Sequence, residues 1–200
     1  MHLTFPAIVV ATRAHGETAG IARVLSEEFG LVAGYVAGAR GRHLRPVLIP
    51  GNRVAAELSA RSEAHLSFLK LELTESRGPW LGEPLPAAAI AWVTTLTAAV
   101  LPERNPYPNV FSALGGTLDA ICHAPSARGW LRGVMAYEAL MLRELGYGGA
   151  APPAEADLEA LLELFARRAA PLERYLLADR KGDAMAARAM LGERLEKLKP

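Results

Sequence analysis

The first 78 residues alternate short apolar stretches with turns that contain glycine. The apolar stretches mix β-branched residues with small or polar ones, which is typical of half-buried strands. Glycine reaches positive φ without steric cost, so Gly16-Glu17 and Phe29-Gly30 can reverse the chain within a few residues. Pro50-Gly51 lies inside the fourth stretch and is expected to bend or bulge a strand there. The pattern predicts five strands, over residues 5–14, 19–28, 31–39, 46–59 and 66–77.

The spacing of apolar positions changes after residues 78–86, a connector rich in proline and glycine. The next segment, Ala87 to Leu101, is apolar on almost every side, which predicts a buried helix. Asn109 is expected to be the N-cap of a second helix that ends at Ile121, because its side chain can accept N–H groups of the first turn. Further helices are predicted over residues 127–145, 155–177 and 183–198.

These elements give an α+β fold class. Five short, curved strands predict a five-stranded OB-fold barrel at the N-terminus, over residues 1–78. The helices predict an all-α helical domain over residues 79–200.

Composition and charge limit the functions that the chain can have. The formal net charge is +1, so nucleic-acid binding would have to depend on local clusters of charge. Cys122 is the single cysteine, which excludes an intramolecular disulfide and a cysteine-based zinc site and fits a reducing cytosol. There is no secretory leader pattern, and no segment approaches the roughly 20 apolar residues that span a bilayer. We therefore expect a cytoplasmic protein with no membrane partner.

A basic loop follows the third predicted strand. Arg40, Arg42, His43 and Arg45 lie close together between glycines, an arrangement that suits a phosphate backbone better than a compact ligand. The alternative is a solvated surface turn. Tyr35 is the best placed aromatic residue for stacking on a base, whereas the phenylalanines of the barrel are expected in its core, namely Phe5, Phe29 and Phe68.

Three more arginines of the barrel are weaker candidates for DNA contact. Arg23, Arg53 and Arg61 each have an acidic residue nearby in the sequence, so each could instead form an ion pair. The acidic residues concerned are Glu27, Glu57 and Glu63.

Several short motifs, in their order and spacing along nearly the whole chain, resemble the RecO family of bacterial recombination mediators. They are Arg13, Gly16-Glu17, Gly30, Gly38 to Arg40, Leu71 to Leu73, Glu138, Leu145 to Gly148, and Arg188 to Leu191. The resemblance implies a protein of DNA repair that binds single- and double-stranded DNA, anneals strands and helps to load recombinase. It also implies two protein partners, RecR and single-stranded DNA-binding protein.

The resemblance further implies a groove on the helical domain. RecO proteins hold the acidic, phenylalanine-ended tail of single-stranded DNA-binding protein in an apolar groove beside cations, and Arg128, Trp130 and Arg132 are expected to border it here. The alternative is that Trp130 packs inside the helical bundle. Many members carry a cysteine-rich zinc module after the Leu145 to Gly148 segment. Here a short alanine and proline linker follows instead, so we expect the module to be missing and no metal or other cofactor to bind.

The sequence contains no motif that favours catalysis. It lacks a nucleophile elbow, a phosphate-binding glycine loop and a metalloprotease helix. Cys122 and His123 are helix neighbours whose side chains do not face each other. We therefore expect a non-enzymatic protein. The alternative is an OB-fold module that contacts other proteins without binding DNA.

Overall fold

The structure is a computed structural model that describes residues 2–59, 66–178 and 184–198. The chain divides into two compact units. The barrel unit comprises residues 1–82 and 101–111, and the helical unit comprises residues 83–100 and 112–200.

The barrel unit contains five strands that close into a barrel in the order β1-β2-β3-β5-β4. β1 is long enough to serve two neighbours: its first half pairs with β4 and its second half with β2, with a bulge between Val9 and Ala11. The bulge lets the strand curve around the barrel. The predicted OB-fold barrel is therefore confirmed. The strands are β1 (His2–His15), β2 (Ala19–Ser26), β3 (Gly30–Val36), β4 (Arg53–Ser59) and β5 (Phe68–Glu75).

Alternate residues of each strand fill the barrel, as the two-residue period of a strand requires. Val9, Val24 and Val32 are fully or almost fully buried there, together with Val54 and Leu71. These side chains come from all five strands, so the core depends on the closed topology and not on any single hairpin.

The predicted fourth strand is wrong over its first half. Residues 46–52 form turns, and β4 begins only at Arg53. Pro46 and Pro50 have no N–H group to donate to a sheet, and Gly51 adopts a φ of 94°. Pro50-Gly51 therefore belongs to the turn that precedes β4 and does not form a bulge within the strand. The third strand is likewise shorter than the predicted 31–39, because it ends at Val36.

Gly30, the first residue of β3, is expected to be the least replaceable glycine of the barrel. Its φ is 67°, and a Cβ there would lie 2.1 Å from the Asn105 carbonyl oxygen. Gly30→Ala should cost about 1–2 kcal/mol from the backbone conformation and about 1–3 kcal/mol more from overpacking. Urea unfolding of the whole chain would measure this loss.

Gly16→Ala is the matched control. Gly16 has a similar φ of 64°, but no atom lies within 4 Å of a Cβ built there. Gly16→Ala should therefore lose only the stability that comes from the backbone conformation, about 1–2 kcal/mol. Equal losses in the two variants would mean that the approach of Asn105 to Gly30 has no energetic consequence.

Five helices follow the strands, and three of them do not begin where the sequence predicts. The helix predicted from residue 155 begins at Leu158. α1 begins at Pro84 instead of residue 87, and α2 begins at Pro108, so Asn109 lies in its first turn and is not the N-cap. Proline is favoured at the first position of a helix because an N–H group at that position would have no acceptor within the helix. The helices are α1 (Pro84–Val100), α2 (Pro108–His123), α3 (Ala127–Glu144), α4 (Leu158–Leu172) and α5 (Ala184–Glu196).

A buried polar network joins four of these helices. Glu138 of α3 is fully buried and accepts from Arg188 of α5 at two oxygens, with Nε to Oε1 at 2.9 Å and the second nitrogen to Oε2 at 3.2 Å. Trp92 of α1 donates its indole N–H to Glu138 Oε1 at 2.9 Å. The Arg188 guanidinium also donates to the Phe165 carbonyl at 2.6 Å and lies 3.8 Å from the centroid of the Phe165 ring. The network therefore satisfies both buried charges.

Candidate functional site

The loop between β3 and β4 carries the four basic residues that the sequence singles out. Arg40, Arg42, His43 and Arg45 are all exposed. Between and beyond them, apolar side chains pack against the barrel core, half-buried at Leu44 and buried at Val47 and Leu48. The loop is thus attached to the barrel by its apolar residues and presents its basic residues to solvent.

The contacts of the basic residues leave their positive charge uncompensated. Arg40 donates to the Glu17 carbonyl oxygen at 3.1 Å, and Arg42 Nε donates to His43 Nε2 at 3.2 Å. Among the described residues, no acidic side chain forms an ion pair with Arg40, Arg42 or Arg45. Charges of one sign that lack internal partners are available to an external anion.

Asn52 anchors the far end of this loop. It is fully buried, and its side-chain amide donates to the carbonyl oxygens of Pro46, at 2.7 Å, and Val47, at 3.1 Å. Its side-chain oxygen accepts from the backbone N–H of Arg77 at 2.7 Å. The loop is therefore connected to the segment that follows β5. Asn52 is not among the predicted site residues, because its position falls inside the predicted fourth strand.

Arg13 of β1 joins the basic loop at the end of the barrel. A cavity of about 190 Å³ opens there, and its charged walls are Arg13, Arg40 and Arg45. In the sequence, Arg13 contributes to the family resemblance but is not among the predicted site residues. The available signal was its place one residue before the end of the predicted first strand.

Aromatic rings line the barrel surface beside these cations. The Tyr35 ring lies 5.9 Å from the His15 ring and 5.3 Å from the Phe68 ring, measured between centroids. The cross-strand pairs run from Arg13 through Ile21 and Tyr35 to Phe68, and directly paired residues share one face of a sheet. The arginine and the rings therefore lie on the same outer face.

The prediction that Phe68 belongs to the core is wrong. Its side chain is 45% exposed, because its position in β5 points away from the barrel. Phe5 is buried as expected, and the half-buried Phe29 packs against it with 4.9 Å between ring centroids.

The other predicted arginines of the barrel do not join this cluster. Arg23 lies 3.3 Å from Glu103 and Arg53 lies 3.0 Å from Glu75, so each forms an ion pair with an acid that sequence analysis had not proposed. Arg61 lies outside the described residues.

The helical unit contains a groove with two of the three residues predicted for a partner. Arg128 and Arg132 line a cavity of about 720 Å³ with the leucines of α4 and the C-terminal segment, namely Leu158, Leu161, Leu162 and Leu198. Asp157 and Glu159 also line it. Trp130 does not: it is only 2% exposed, because its position on α3 faces the bundle. The expectation that Trp130 borders the groove is therefore wrong.

Arg132 has a structural role that the sequence did not suggest. Its guanidinium donates to the carbonyl oxygens of Pro153 and Ala156, in the latter case at 2.8 Å. It therefore holds the linker before α4 against α3. Arg128 is exposed and, unlike Arg132, forms no such tether among the described residues.

Comparison with protein-family models shows which family the chain belongs to. A model described as "Recombination protein O N terminal" matches residues 1–77, and one described as "Recombination protein O C terminal" matches residues 84–149. The chain belongs to the RecO family.

Among individual relatives, the chain is similar to proteins named DNA repair protein RecO. It is 40% identical to that of Rhodospirillum centenum over 149 residues, which cover 74% of this chain and 58% of the relative. It is 36% identical to that of Phenylobacterium zucineum over 143 residues, which cover 71% of this chain and 58% of the relative. The chain thus spans well under two thirds of the length of these RecO relatives.

Two features are absent from the described residues of this RecO family member. Over residues 2–59, 66–178 and 184–198, no group of three or more His, Cys, Asp or Glu side chains could hold a metal ion. No helix in the described part of the chain is both long and apolar enough to cross a membrane.

Proposed function

We propose that this chain is a non-enzymatic mediator of recombinational DNA repair whose barrel binds single- and double-stranded DNA. The observation that carries the proposal is the cluster of Arg13, Arg40 and Arg45 around the barrel cavity, beside the half-buried ring of Tyr35 and the exposed ring of Phe68. Membership of the RecO family, whose relatives are named DNA repair proteins, supports the assignment of this cluster to DNA.

The chemistry of the cluster supports phosphate binding with little sequence preference. Arginines without internal ion pairs attract the backbone of any nucleic acid, and backbone contacts carry no sequence information. Exposed aromatic rings add stacking, which every base accepts, when the bases of a single strand are unpaired. The surface therefore suits single strands through both phosphate contacts and base stacking, and double strands through phosphate contacts alone.

A salt titration of binding to a fluorescent oligonucleotide tests the proposal. Because phosphate contacts release counterions, the logarithm of the affinity should fall linearly with the logarithm of salt concentration. Affinity that is absent, or that does not change with salt, would favour the alternative of an OB-fold module that contacts other proteins.

The finer activities belong to the same proposal. We propose that the protein anneals complementary strands and helps to load recombinase onto DNA coated by single-stranded DNA-binding protein. RecR is the proposed second protein partner. A protein that acts on bacterial chromosomal DNA would work in the cytoplasm.

The groove of the helical unit is the proposed site for the tail of single-stranded DNA-binding protein. Its leucines offer an apolar surface for the terminal phenylalanine, and Arg128 and Arg132 offer charge-assisted bonds to carboxylates. The acids Asp157 and Glu159 at the groove oppose an acidic tail, so the arginines must lie closer to its carboxylates than these acids do.

Arg128→Glu should abolish binding of a peptide of that tail, which we expect at about micromolar affinity. The new carboxylate repels the acidic peptide, while the linker contacts of Arg132 stay intact. Fluorescence anisotropy of a labelled peptide measures the effect, and oligonucleotide binding by the barrel serves as the control. Unchanged peptide affinity would place the tail elsewhere.

A further inference from the structure

Two tyrosines of the helical unit are stacked on each other at the protein surface. Tyr147 follows the end of α3, and Tyr175 lies in the single π-helical turn, Glu173–Leu177, that continues α4. Their ring centroids are 5.3 Å apart and the rings are inclined by only 18°. Tyr147 is 53% exposed and Tyr175 is 43% exposed. The rings therefore form a nearly parallel aromatic stack that is about half exposed to solvent.

The backbone holds Tyr147 in this position. Gly146 has a φ of 88° and donates to the Arg143 carbonyl at 3.0 Å, while the Tyr147 N–H donates to the Leu142 carbonyl at 2.9 Å. This pair of bonds is the Schellman arrangement that ends many helices. Gly149 packs so closely that a Cβ there would lie 2.5 Å from the Ala139 carbonyl oxygen. The exposed ring thus extends from a fixed turn.

Exposed arginines lie beside the tyrosine pair. The Arg174 guanidinium lies 5.4 Å from the centroid of the Tyr175 ring. A cavity of about 350 Å³ lies beside both tyrosines, with Arg167 and Arg168 in its walls. Arg168 is buried and donates to the Met135 and Ala150 carbonyls, so Arg167 is the exposed cation of the wall. Among the described residues, no acidic side chain lines this cavity.

We propose that the Tyr147–Tyr175 pair is a second binding site for single-stranded nucleic acid. An unpaired base stacks on the tyrosine rings, and Arg167 and Arg174 bind the adjacent phosphates. Aromatic surfaces flanked by arginine are the usual means of binding single strands without sequence preference. The site is separate from the barrel cluster of Arg13, Arg40 and Arg45.

The geometry favours a nucleic acid over an acidic peptide. Arg174 lies over the Tyr175 ring, whereas Tyr147 is 53% exposed, so a base can extend the stack from the outer face of Tyr147. Every base is a planar group that can stack in this way. The apolar residues of the cavity wall are few, namely Leu142, Leu164 and Pro171. An acidic peptide would use the arginines but would leave the flat face of the rings without a planar partner.

The site deepens the proposed function and rests on it. A protein that anneals strands gains from holding two strands at once, because the second encounter then takes place at a high effective concentration. One strand would bind at the barrel and its complement at the tyrosines.

The test measures binding and annealing by the full chain in two backgrounds. In the Arg40→Ala/Arg42→Ala/Arg45→Ala background, we expect residual binding of fluorescent oligo(dT) that falls with salt. Adding Tyr147→Ala/Tyr175→Ala should reduce this residual affinity by roughly tenfold or more, the effect of losing about one stacked base. Adding Tyr147→Phe/Tyr175→Phe, the matched control, should preserve it because the rings remain. Circular dichroism verifies that each variant is folded.

Photocrosslinking identifies the residues directly. An oligonucleotide containing 5-iododeoxyuridine should crosslink to Tyr147 or Tyr175 of the unmodified protein, and Tyr147→Ala/Tyr175→Ala alone should slow the annealing of complementary strands.

Three results would overturn the second site while leaving the barrel proposal intact: crosslinks confined to the barrel, equal residual affinity in the alanine and phenylalanine variants, or protection of the tyrosines by an acidic peptide alone. If the unmodified protein binds no oligonucleotide, the proposed function itself fails.

Discussion

Arg188→Met should lower the free energy of unfolding of the helical unit by about 3–5 kcal/mol, the cost of leaving a buried charge without its partner. The guanidinium supplies two of the three hydrogen bonds to the Glu138 carboxylate, which is fully buried. Without it, the indole of Trp92 would be the one hydrogen-bond donor left to that carboxylate among the described residues. Urea denaturation followed by circular dichroism measures the change.

The double variant Glu138→Gln/Arg188→Met is the control for this prediction. Glutamine removes the unpaired charge and keeps a side-chain oxygen that can accept from Trp92, so much of the lost stability should return. The prediction is wrong if Arg188→Met alone costs less than about 1 kcal/mol, the loss expected from an ordinary substitution.

The second large effect is expected in the basic loop. Replacing Arg40, Arg42 and Arg45 together by alanine should flatten the dependence of log affinity on log salt by about 0.7 to 0.9 for each lost phosphate contact. The decrease in affinity should be the same for oligonucleotides of unrelated sequence, since phosphate contacts carry no sequence information. Folding should persist, because exposed substitutions usually change stability by no more than about 0.5 kcal/mol. Anisotropy titrations at several salt concentrations measure both slope and affinity.

Lys70→Ala is the control for the loss of a positive charge elsewhere on the barrel. Lys70 is highly exposed on β5 of the same barrel and lies 3.5 Å from Glu57, away from the cavity that Arg40 and Arg45 line. It should leave the salt slope almost unchanged. If the triple variant retains the full slope, the loop is not part of the DNA-binding surface.

The five strands of the barrel could be predicted from sequence because their signals are local. Turns at Gly16 and Gly30 and alternating apolar residues determine where strands start and stop. Residues 46–52 were misassigned because an apolar run containing Val47 and Leu48 looks the same in a buried strand and in a turn that packs onto the core. The two prolines beside that run, Pro46 and Pro50, were the signal that it could not join a sheet.

The candidate site was only partly predictable, because it combines residues that are distant in sequence. Loop arginines could be found as a cluster, since they are neighbours along the chain. Arg13 could not, because only the pairing of β1 with β2 brings it to the same end of the barrel. The ion pairs of Arg23 with Glu103 and Arg53 with Glu75 depend on the fold in the same way. In the helical unit, Trp130 was predicted at the groove because the sequence alone does not show which face of α3 the other helices cover.

The amide of Asn52 bears on how strongly the basic loop can bind, although it need never touch a ligand. Fixing a flexible residue costs about 1–2 kcal/mol of backbone entropy at 25 °C. The bonds from Asn52 to the Pro46 and Val47 carbonyls impose that cost when the barrel folds. If the loop binds DNA as proposed, a strand that reaches it meets a backbone that is already fixed at this end. Part of the affinity for DNA would then be determined during folding, by a buried side chain that carries no charge.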